Sequence, residues 1–228
     1  MAGSELHEAE VESRWEAAPA VLVVIVLQVA IGVASWHQHW SLWRLPWWSW
    51  LVLIVPEAML FAALALSWPR RQIDQLGRRR EVALALFGLV GIGNALALLA
   101  LIAALIGGYE TNGGPLLFKA GTIWSTNVIA FGLWFWALDR GGPIRRREAD
   151  PPPPDFQFPQ MENPGLAEPG WHPRLLDYVY LSFTNSVAFS PTDAMPLTRR
   201  VKLLMLLEAS ASAVTVLLVA ARAVNILR

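Results

Sequence analysis

Apolar residues occur in long blocks along this chain, without the strict alternation of a half-buried strand. Four blocks occupy residues 20–36, 47–68, 82–107 and 116–138, and a fifth lies within residues 199–227. Each approaches the roughly 20 residues that a helix needs to cross the hydrocarbon core of a bilayer. The pattern predicts an all-α integral membrane protein with about five transmembrane helices.

The segments around these blocks divide the chain into four parts. Residues 1–19 form an acidic tail, residues 20–139 hold the first four predicted helices, and residues 140–174 form a proline-rich linker. Residues 175–228 combine a polar hairpin with the last long helix. Proline stiffens an extended backbone, so we expect the linker to lie on the membrane surface. Phe156, Phe158 and Trp171 are expected to dock it against lipid headgroups or neighbouring subunits.

Composition supports the membrane assignment and excludes several classes of function. Hydrophobic residues make up 55% of the chain, more than a soluble domain of this size usually has. The 18 basic and 18 acidic residues cancel, so no positive field suggests a nucleic-acid partner. The chain has no cysteine, which excludes disulfides, thiolate catalysis and iron–sulfur clusters. It has neither a His-Glu-x-x-His nor a Gly-x-Ser-x-Gly motif, and we expect no enzyme activity, no cofactor and no metal ion.

Arginine residues indicate which side each loop faces. The connection after the second block carries five arginines within residues 69–81, and positively charged loops remain cytoplasmic. Arg140 and residues 145–147 belong to the same side by this rule. We therefore place the chain in the plasma (inner) membrane with a cytoplasmic N-terminus. The hairpin then enters from the cytoplasm if the fourth block crosses completely, but a miscounted span would reverse it, so its side stays open.

The most polar part of the apolar sequence precedes the last helix. Residues 177–186 contain too many polar side chains for a lipid-facing span and too many aromatic ones for a solvated loop. Irregular backbone within a membrane is tolerated only where protein covers it or where it lines water. We therefore expect residues 185–195 to line a passage. The predicted filter-like positions are Asn185, Ser186, Ala188, Phe189, Ser190, Pro191, Thr192 and Asp193.

Residues 182–198, SFTNSVAFSPTDAMPLT, resemble the pore loop of tetrameric potassium channels, whose pattern SFTTLTTVGYGDIVPLT aligns with them without a gap. The residues common to both are Ser182, Phe183, Thr184, Asp193, Pro196, Leu197 and Thr198. About the last fifty residues, ending in Ala-x-x-x-Asn-Ile-Leu, are also similar to an uncharacterised bacterial family of multi-span membrane proteins. The resemblance implies a re-entrant pore half-helix and loop, an inner helix after it, and a homotetramer that conducts cations.

The centre of this pore-loop pattern is altered. Where potassium channels have Thr-Val-Gly-Tyr-Gly, residues 188–192 read Ala-Phe-Ser-Pro-Thr, so both glycines are missing. Those glycines allow backbone conformations that aim carbonyl groups at the ion, and Pro191 restricts both its own φ and Ser190. A potassium-selective carbonyl ladder is not expected. Hydroxyl groups and a ring of Asp193 carboxylates would form a wider constriction that favours cations.

Polar residues also follow one face of the last helix. Glu208, Ser212, Thr215, Val219 and Arg222 are spaced by steps of four and three residues, and such positions share a helix face. Ionisable residues inside a span usually face the bundle interior or a water-filled cavity. We therefore predict that Glu208, Ser212, Thr215 and Arg222 face the pore. The alternatives are that Glu208 pairs with a polar residue of another span and that Arg222 extends to the interface.

The sequence thus predicts a cation-conducting pore-loop channel that is not selective for potassium. Its partners would be inorganic ions, the lipid bilayer and further copies of the chain. One alternative is a non-conducting membrane scaffold that retains the pore-loop fold, favoured by Pro191 and the lost glycines. Another is a proton-coupled transporter that uses Glu208 and Glu57, a second carboxylate predicted to be buried in the membrane. The inverted repeats typical of such transporters are not visible.

Overall fold

The computed structural model describes residues 2–38, 51–65, 78–108, 113–148, 150–190 and 193–226. Within these ranges the chain is mostly helical, with seven α-helices. In chain order they are α1 (Ala2–His37), α2 (Leu51–Ala65), α3 (Arg79–Ile106), α4 (Gly113–Leu138), α5 (Pro159–Glu162), α6 (Leu175–Ala188) and α7 (Arg199–Ile226).

Four segments are long and apolar enough to cross a membrane: Ala17–His37, Arg80–Ile106, Gly113–Gly141 and Arg199–Arg222. Large apolar side chains on them face outward, and Val26, Leu99 and Leu217 are 62%, 61% and 67% exposed. Water disfavours such a surface, whereas lipid does not. The prediction of a multi-pass membrane protein is confirmed, and four of the five predicted spans correspond to these helices.

The predicted span at residues 47–68 is described only in part. Its described portion is α2, which includes the apolar stretch Ile54–Ala65. Both predicted ends lie outside the described residues. α2 packs against α3.

The structure consists of two compact units. The first comprises residues 1–20 and 128–210 and contains the proline-rich segment together with α6. An aromatic cluster forms its core: the ring centroids of Phe135 and Phe156 are 5.2 Å apart, and those of Phe158 and Tyr178 are 5.4 Å apart. Edge-to-face packing buries large apolar areas. Phe156 and Phe158 therefore dock the predicted linker on its own chain, whereas lipid headgroups or neighbouring subunits were expected.

A short strand pair fixes the middle of this segment. β1 (Phe156–Gln157) and β2 (Met195–Pro196) are antiparallel, with Phe156 opposite Pro196 and Gln157 opposite Met195. The Phe-Gln-Phe alternation at residues 156–158 turns both phenylalanines into the core, which suits an extended backbone. An all-α fold was predicted, and this strand pair is where the described residues differ from that prediction.

The second unit comprises residues 21–127 and 211–228. One cluster of its buried core is formed by residues of α3 and α4, and Val219 of α7 packs against it. Small alanine side chains let helices approach closely within a membrane. The core residues are Ala97, Ala100, Leu101, Leu116, Ala120 and Ile123.

Candidate functional site

The N-terminus and the inward face of α6 follow from local chemistry. The backbone N–H of Arg174 donates to the carboxylate of Asp177 at 2.7 Å, which satisfies a donor at the start of the helix. One face of the helix then points inward at helical spacing. Its buried residues include Leu175, Tyr178, Leu181, Ser182 and Asn185.

α6 ends at a left-handed turn. Phe189, directly after Ala188, has φ 55° and ψ 27°. A residue with a Cβ atom adopts this conformation at a cost of roughly 1–2 kcal/mol. The turn therefore depends on contacts elsewhere that hold both sides of it.

Three polar side chains of α6 converge on Glu208 of α7. Ser182 and Ser186 both contact Oε1 of Glu208, the second at 3.2 Å, and the amide of Asn185 donates to Oε2 at 2.7 Å. The same amide also donates to the carbonyl oxygen of Met205 at 3.0 Å. Glu208 is completely buried. These contacts join the middle of α6 to α7.

The contacts of Ser182 fit a neutral Glu208. The hydroxyl of Ser182 also lies 2.7 Å from the carbonyl oxygen of Val128. A hydroxyl carries one proton, so both contacts are fully satisfied when Ser182 donates to Val128 and Glu208 donates its own proton to Ser182. In that state Glu208 provides hydrogen bonds and no net charge.

The predicted filter-like residues fall into two groups. Asn185 and Ser186 are buried and face Glu208 of the same chain. Pro191 and Thr192 lie outside the described residues. The exposed group is Ala188, Phe189, Ser190 and Asp193. The role of this group in lining a passage stays a prediction.

The predicted pore-facing residues of α7 are largely buried within their own chain. In the second unit, Ser212 accepts a hydrogen bond from the amide of Asn127 at 3.2 Å, and Thr215 donates to the carbonyl of Ala211 at 2.7 Å. Ser212 and Thr215 are buried, and Arg222 is half-buried. Their role in conduction stays a prediction too.

Asp155 forms hydrogen bonds with the residues that connect the turn to α7 and with the start of α7. Its carboxylate accepts hydrogen bonds from Thr198 Oγ1 at 2.6 Å and from Arg200 Nε at 2.8 Å, and its backbone carbonyl accepts one from Leu197 N at 2.8 Å. Burial raises the pKa of Asp155, but the hydrogen bonds from Arg200 and Thr198 and the charge of Arg200 lower it by more. The pKa of Asp155 therefore lies below its ordinary value of 3.8.

A second polar network holds the first half of α6. The hydroxyl of Tyr178 donates to Asp139 Oδ2 at 2.5 Å and accepts from the guanidinium of Arg146. The other oxygen of Asp139 accepts from the backbone N–H of Asp155 at 2.7 Å. Sequence reasoning missed these residues. The Phe-Gln-Phe alternation after Asp155 was the one local signal that this segment is ordered.

Glu57 lies in the second unit, on α2, and is completely buried. The side-chain amide of Gln28, on α1, donates to its Oε1 at 3.3 Å. Glu57 and Glu208 thus have separate surroundings, and each has amide or hydroxyl partners where a water-exposed carboxylate would have solvent.

Comparisons with known proteins assign no family to this chain. Protein-family models, curated proteins and solved structures all give no match for this chain. Its assignment as a mostly helical, multi-pass membrane protein rests on the four long apolar helices and their outward-facing apolar side chains.

Proposed function

We propose that the chain is a pore-loop channel built from several copies, with a tetramer favoured, and that it conducts cations without selecting potassium. In this proposal α6 and the turn after it enter the membrane part-way, and α7 is the inner helix. Residues 188–190 and Asp193 line the constriction.

The observation that carries the proposal is the length of α6 beside that of α7. α6 has 14 residues, about 21 Å of helix, and α7 has 28 residues, about 42 Å. The hydrocarbon core of a bilayer is about 30 Å thick, so α7 is long enough to cross it and α6 is not. A short helix and an exposed turn directly before a spanning helix are the parts of a re-entrant loop.

The outward face of α6 supports an assembly of several copies. Irregular backbone within a bilayer is stable only where protein covers it or water fills the space beside it. A second copy packed on this face would cover the helix and bring the turns of the copies around one axis. The exposed face carries Leu176, Tyr180, Phe183 and Val187, which are 76%, 52%, 45% and 54% exposed.

Asp193 supports a preference for cations. Its side chain is exposed, directly after the turn. Copies of this carboxylate around one axis would form a ring that raises the local concentration of cations. Because the turn lacks both glycines of a carbonyl ladder, the ring would select charge and not the size of potassium.

Cation flux into liposomes that contain the purified protein tests this function. We expect Asp193→Asn to lower the flux roughly tenfold at low ionic strength, since the ring loses its charge. The control is Asp150→Asn, which removes an exposed carboxylate from the proline-rich segment and should leave the flux unchanged. Flux that is absent in the wild type, or equal in all three proteins, would contradict the proposal.

A non-conducting scaffold is the second candidate function. The contacts of Glu208 favour it, because three side chains of α6 satisfy this carboxyl within one chain. A well-folded protein that carries no flux under any ionic gradient, and whose Glu208→Gln variant loses only thermal stability, would support the scaffold over the channel.

A further inference from the structure

Polar side chains from five helices meet in the interior of the second unit. The amide of Gln28 on α1 donates to Glu57 on α2. The amide of Asn94 on α3 donates to Asn127 on α4 at 3.5 Å, and Asn127 donates to Ser212 on α7 at 3.2 Å. Such groups are costly within a membrane and mark functional positions more often than packing positions.

A cavity of about 30 Å³ borders both sets of hydrogen bonds. Gln28 of the first set and Asn94 of the second both line it. Thr122 and Thr126 contribute two hydroxyl groups, and apolar residues complete the wall. A space of this size holds about one or two water molecules.

Two oxygen atoms of residues that line this cavity, Gln28 Oε1 and Thr126 Oγ1, have no hydrogen-bond partner among the described residues. The same holds for Oε2 of Glu57, which does not line the cavity but is linked to it through its hydrogen bond with Gln28. Glu57 and Thr126 are 0% and 2% exposed, so solvent at the surface does not reach them. A carboxylate oxygen and an amide oxygen only accept hydrogen bonds, whereas the hydroxyl of Thr126 both accepts and donates. The missing partners of Glu57 Oε2 and Gln28 Oε1 must therefore bring hydrogen atoms or positive charge.

We propose that the cavity holds water and that Glu57, which Gln28 connects to this cavity, binds an exchangeable proton, which makes this part of the second unit an intramembrane proton-binding site. Glu57 in the carboxylate form takes one proton from hydronium and leaves one water molecule, so its negative charge disappears. The protonated oxygen then has a hydrogen to donate, and water completes the contacts of Gln28 and Thr126.

The surroundings of Glu57 favour a proton over a metal ion. The described hydrogen bond of Glu57 comes from the neutral amide of Gln28. An isolated carboxylate in a medium of low dielectric constant is very costly, and protonation removes that cost. Calcium and magnesium need about six or more oxygen ligands, whereas Glu57 offers one unpartnered oxygen and the residues that line the cavity offer two. The described residues also contain no group of three acidic, histidine or cysteine side chains.

This site is independent of the channel proposal, because it lies in the second unit and involves no residue of the turn. Infrared difference spectroscopy on the purified protein in lipid tests it directly. The carbonyl stretch of a protonated carboxylic acid is distinct from the carboxylate bands, and it shifts when the proton is exchanged for deuterium. The measurement is made in a Glu208→Gln background, so that the other buried glutamate does not contribute; the buried Asp139 and Asp155 accept hydrogen bonds from backbone N–H or arginine groups.

In that background we expect one buried carboxylic-acid band that shifts in deuterium oxide and disappears in Glu57→Gln. Thr126→Val should keep the band but move its frequency, because the cavity water loses one partner. The control is Glu81→Gln, which changes an exposed carboxylate on α3 and should leave the band unaltered. Glutamine is close to glutamate in size, and thermal unfolding confirms that each variant is folded.

Three results would overturn the inference. The background protein could lack a buried carboxylic-acid band across pH values from about 4 to about 9, a range that covers ordinary glutamate titration. The band could persist in Glu57→Gln, which would assign it to another residue. Replacing potassium by sodium in the buffer could convert the band to a carboxylate band, which would identify a metal-cation site instead of a proton site.

Discussion

At Gly132 the backbone of α4 lies against α6 with no room for a side chain. A Cβ atom at this position would lie 2.8 Å from Val179 Cγ2 and 2.9 Å from Val179 Cα. The second neighbour is a backbone atom, so a change of rotamer cannot make space for it. The close approach therefore depends on glycine, and it positions the helix that carries the candidate site.

We expect Gly132→Ala to destabilise the protein by about 1–3 kcal/mol, because α6 must move away from α4. Gly121→Ala is the matched control on the same helix, since a Cβ atom there meets nothing within 4 Å. It should be neutral or stabilise by up to about 1 kcal/mol through higher helix propensity. Thermal unfolding in detergent measures both variants, and equal effects would contradict the close packing.

Asp155 makes the stability of the first unit depend on pH. Because its pKa is lowered in the folded state, its ionised form stabilises the fold above the unfolded value near 3.8. That contribution is lost as the pH falls from there through the folded pKa. We expect the melting temperature to decrease at pH values below about 4. Asp155→Asn should weaken this pH dependence and should also lower the melting temperature at neutral pH.

The control for this measurement is Asp150→Asn, an exposed position in the same segment. It should change neither the melting temperature at neutral pH nor its acid dependence. If the melting temperature of Asp155→Asn had the same pH dependence as that of the wild type, the ionised carboxylate of Asp155 would not be what stabilises this segment.

At the scale of elements, the order of the candidate site could be predicted from the sequence. A short amphipathic run, a polar turn and a long apolar helix are all visible in it, and α6, the exposed turn and α7 occupy those positions. The fastening contacts could not be predicted. Asp155 is hydrogen-bonded to Arg200, 45 residues later in the sequence, and to Asp139, 16 residues earlier. A pattern of neighbouring residues contains no information about such distant pairs.

The sequence also could not decide which side of the hairpin faces inward. Both faces of α6 carry polar and aromatic residues, and the polar composition of residues 185–195 with the pore-loop resemblance gave Asn185 and Ser190 the same predicted role. The structure buries Asn185 against Glu208 and leaves Ser190 exposed. Tertiary contacts with α7 make this difference, because only the inward face finds a carboxyl partner.

Cysteine labelling can test this difference, because the chain contains no cysteine. A membrane-impermeant maleimide should modify Ser190→Cys rapidly and Ser186→Cys slowly, since the first position is exposed and the second is buried beside Glu208. Mass spectrometry of protein in vesicles of either orientation measures the rates, and the reactive side shows from which side the hairpin enters, which the arginine count leaves open. Equal rates at both positions would contradict the arrangement of α6.

At the scale of the whole molecule, the spans are the part that the sequence predicted best. A bilayer imposes a minimum length on every crossing helix, so hydrophobic length alone identifies them. The division into two compact units had no such signal, because apolar blocks of similar composition can pack in many arrangements. The polar contacts inside the second unit were missed for the same reason, although Glu57 itself stood out as an ionisable residue in an apolar block.

The exposed turn between α6 and α7 is held by contacts that lie outside it. Glu208 anchors the helix before the turn, and Asp155 anchors the residues after it. We therefore expect residues 188–190 to tolerate exchange while the anchors keep their geometry. In evolution, this short segment can change its sequence without a change of fold. For a protein engineer, it is a position at which foreign sequences can be tested while the flanking helices stay in place.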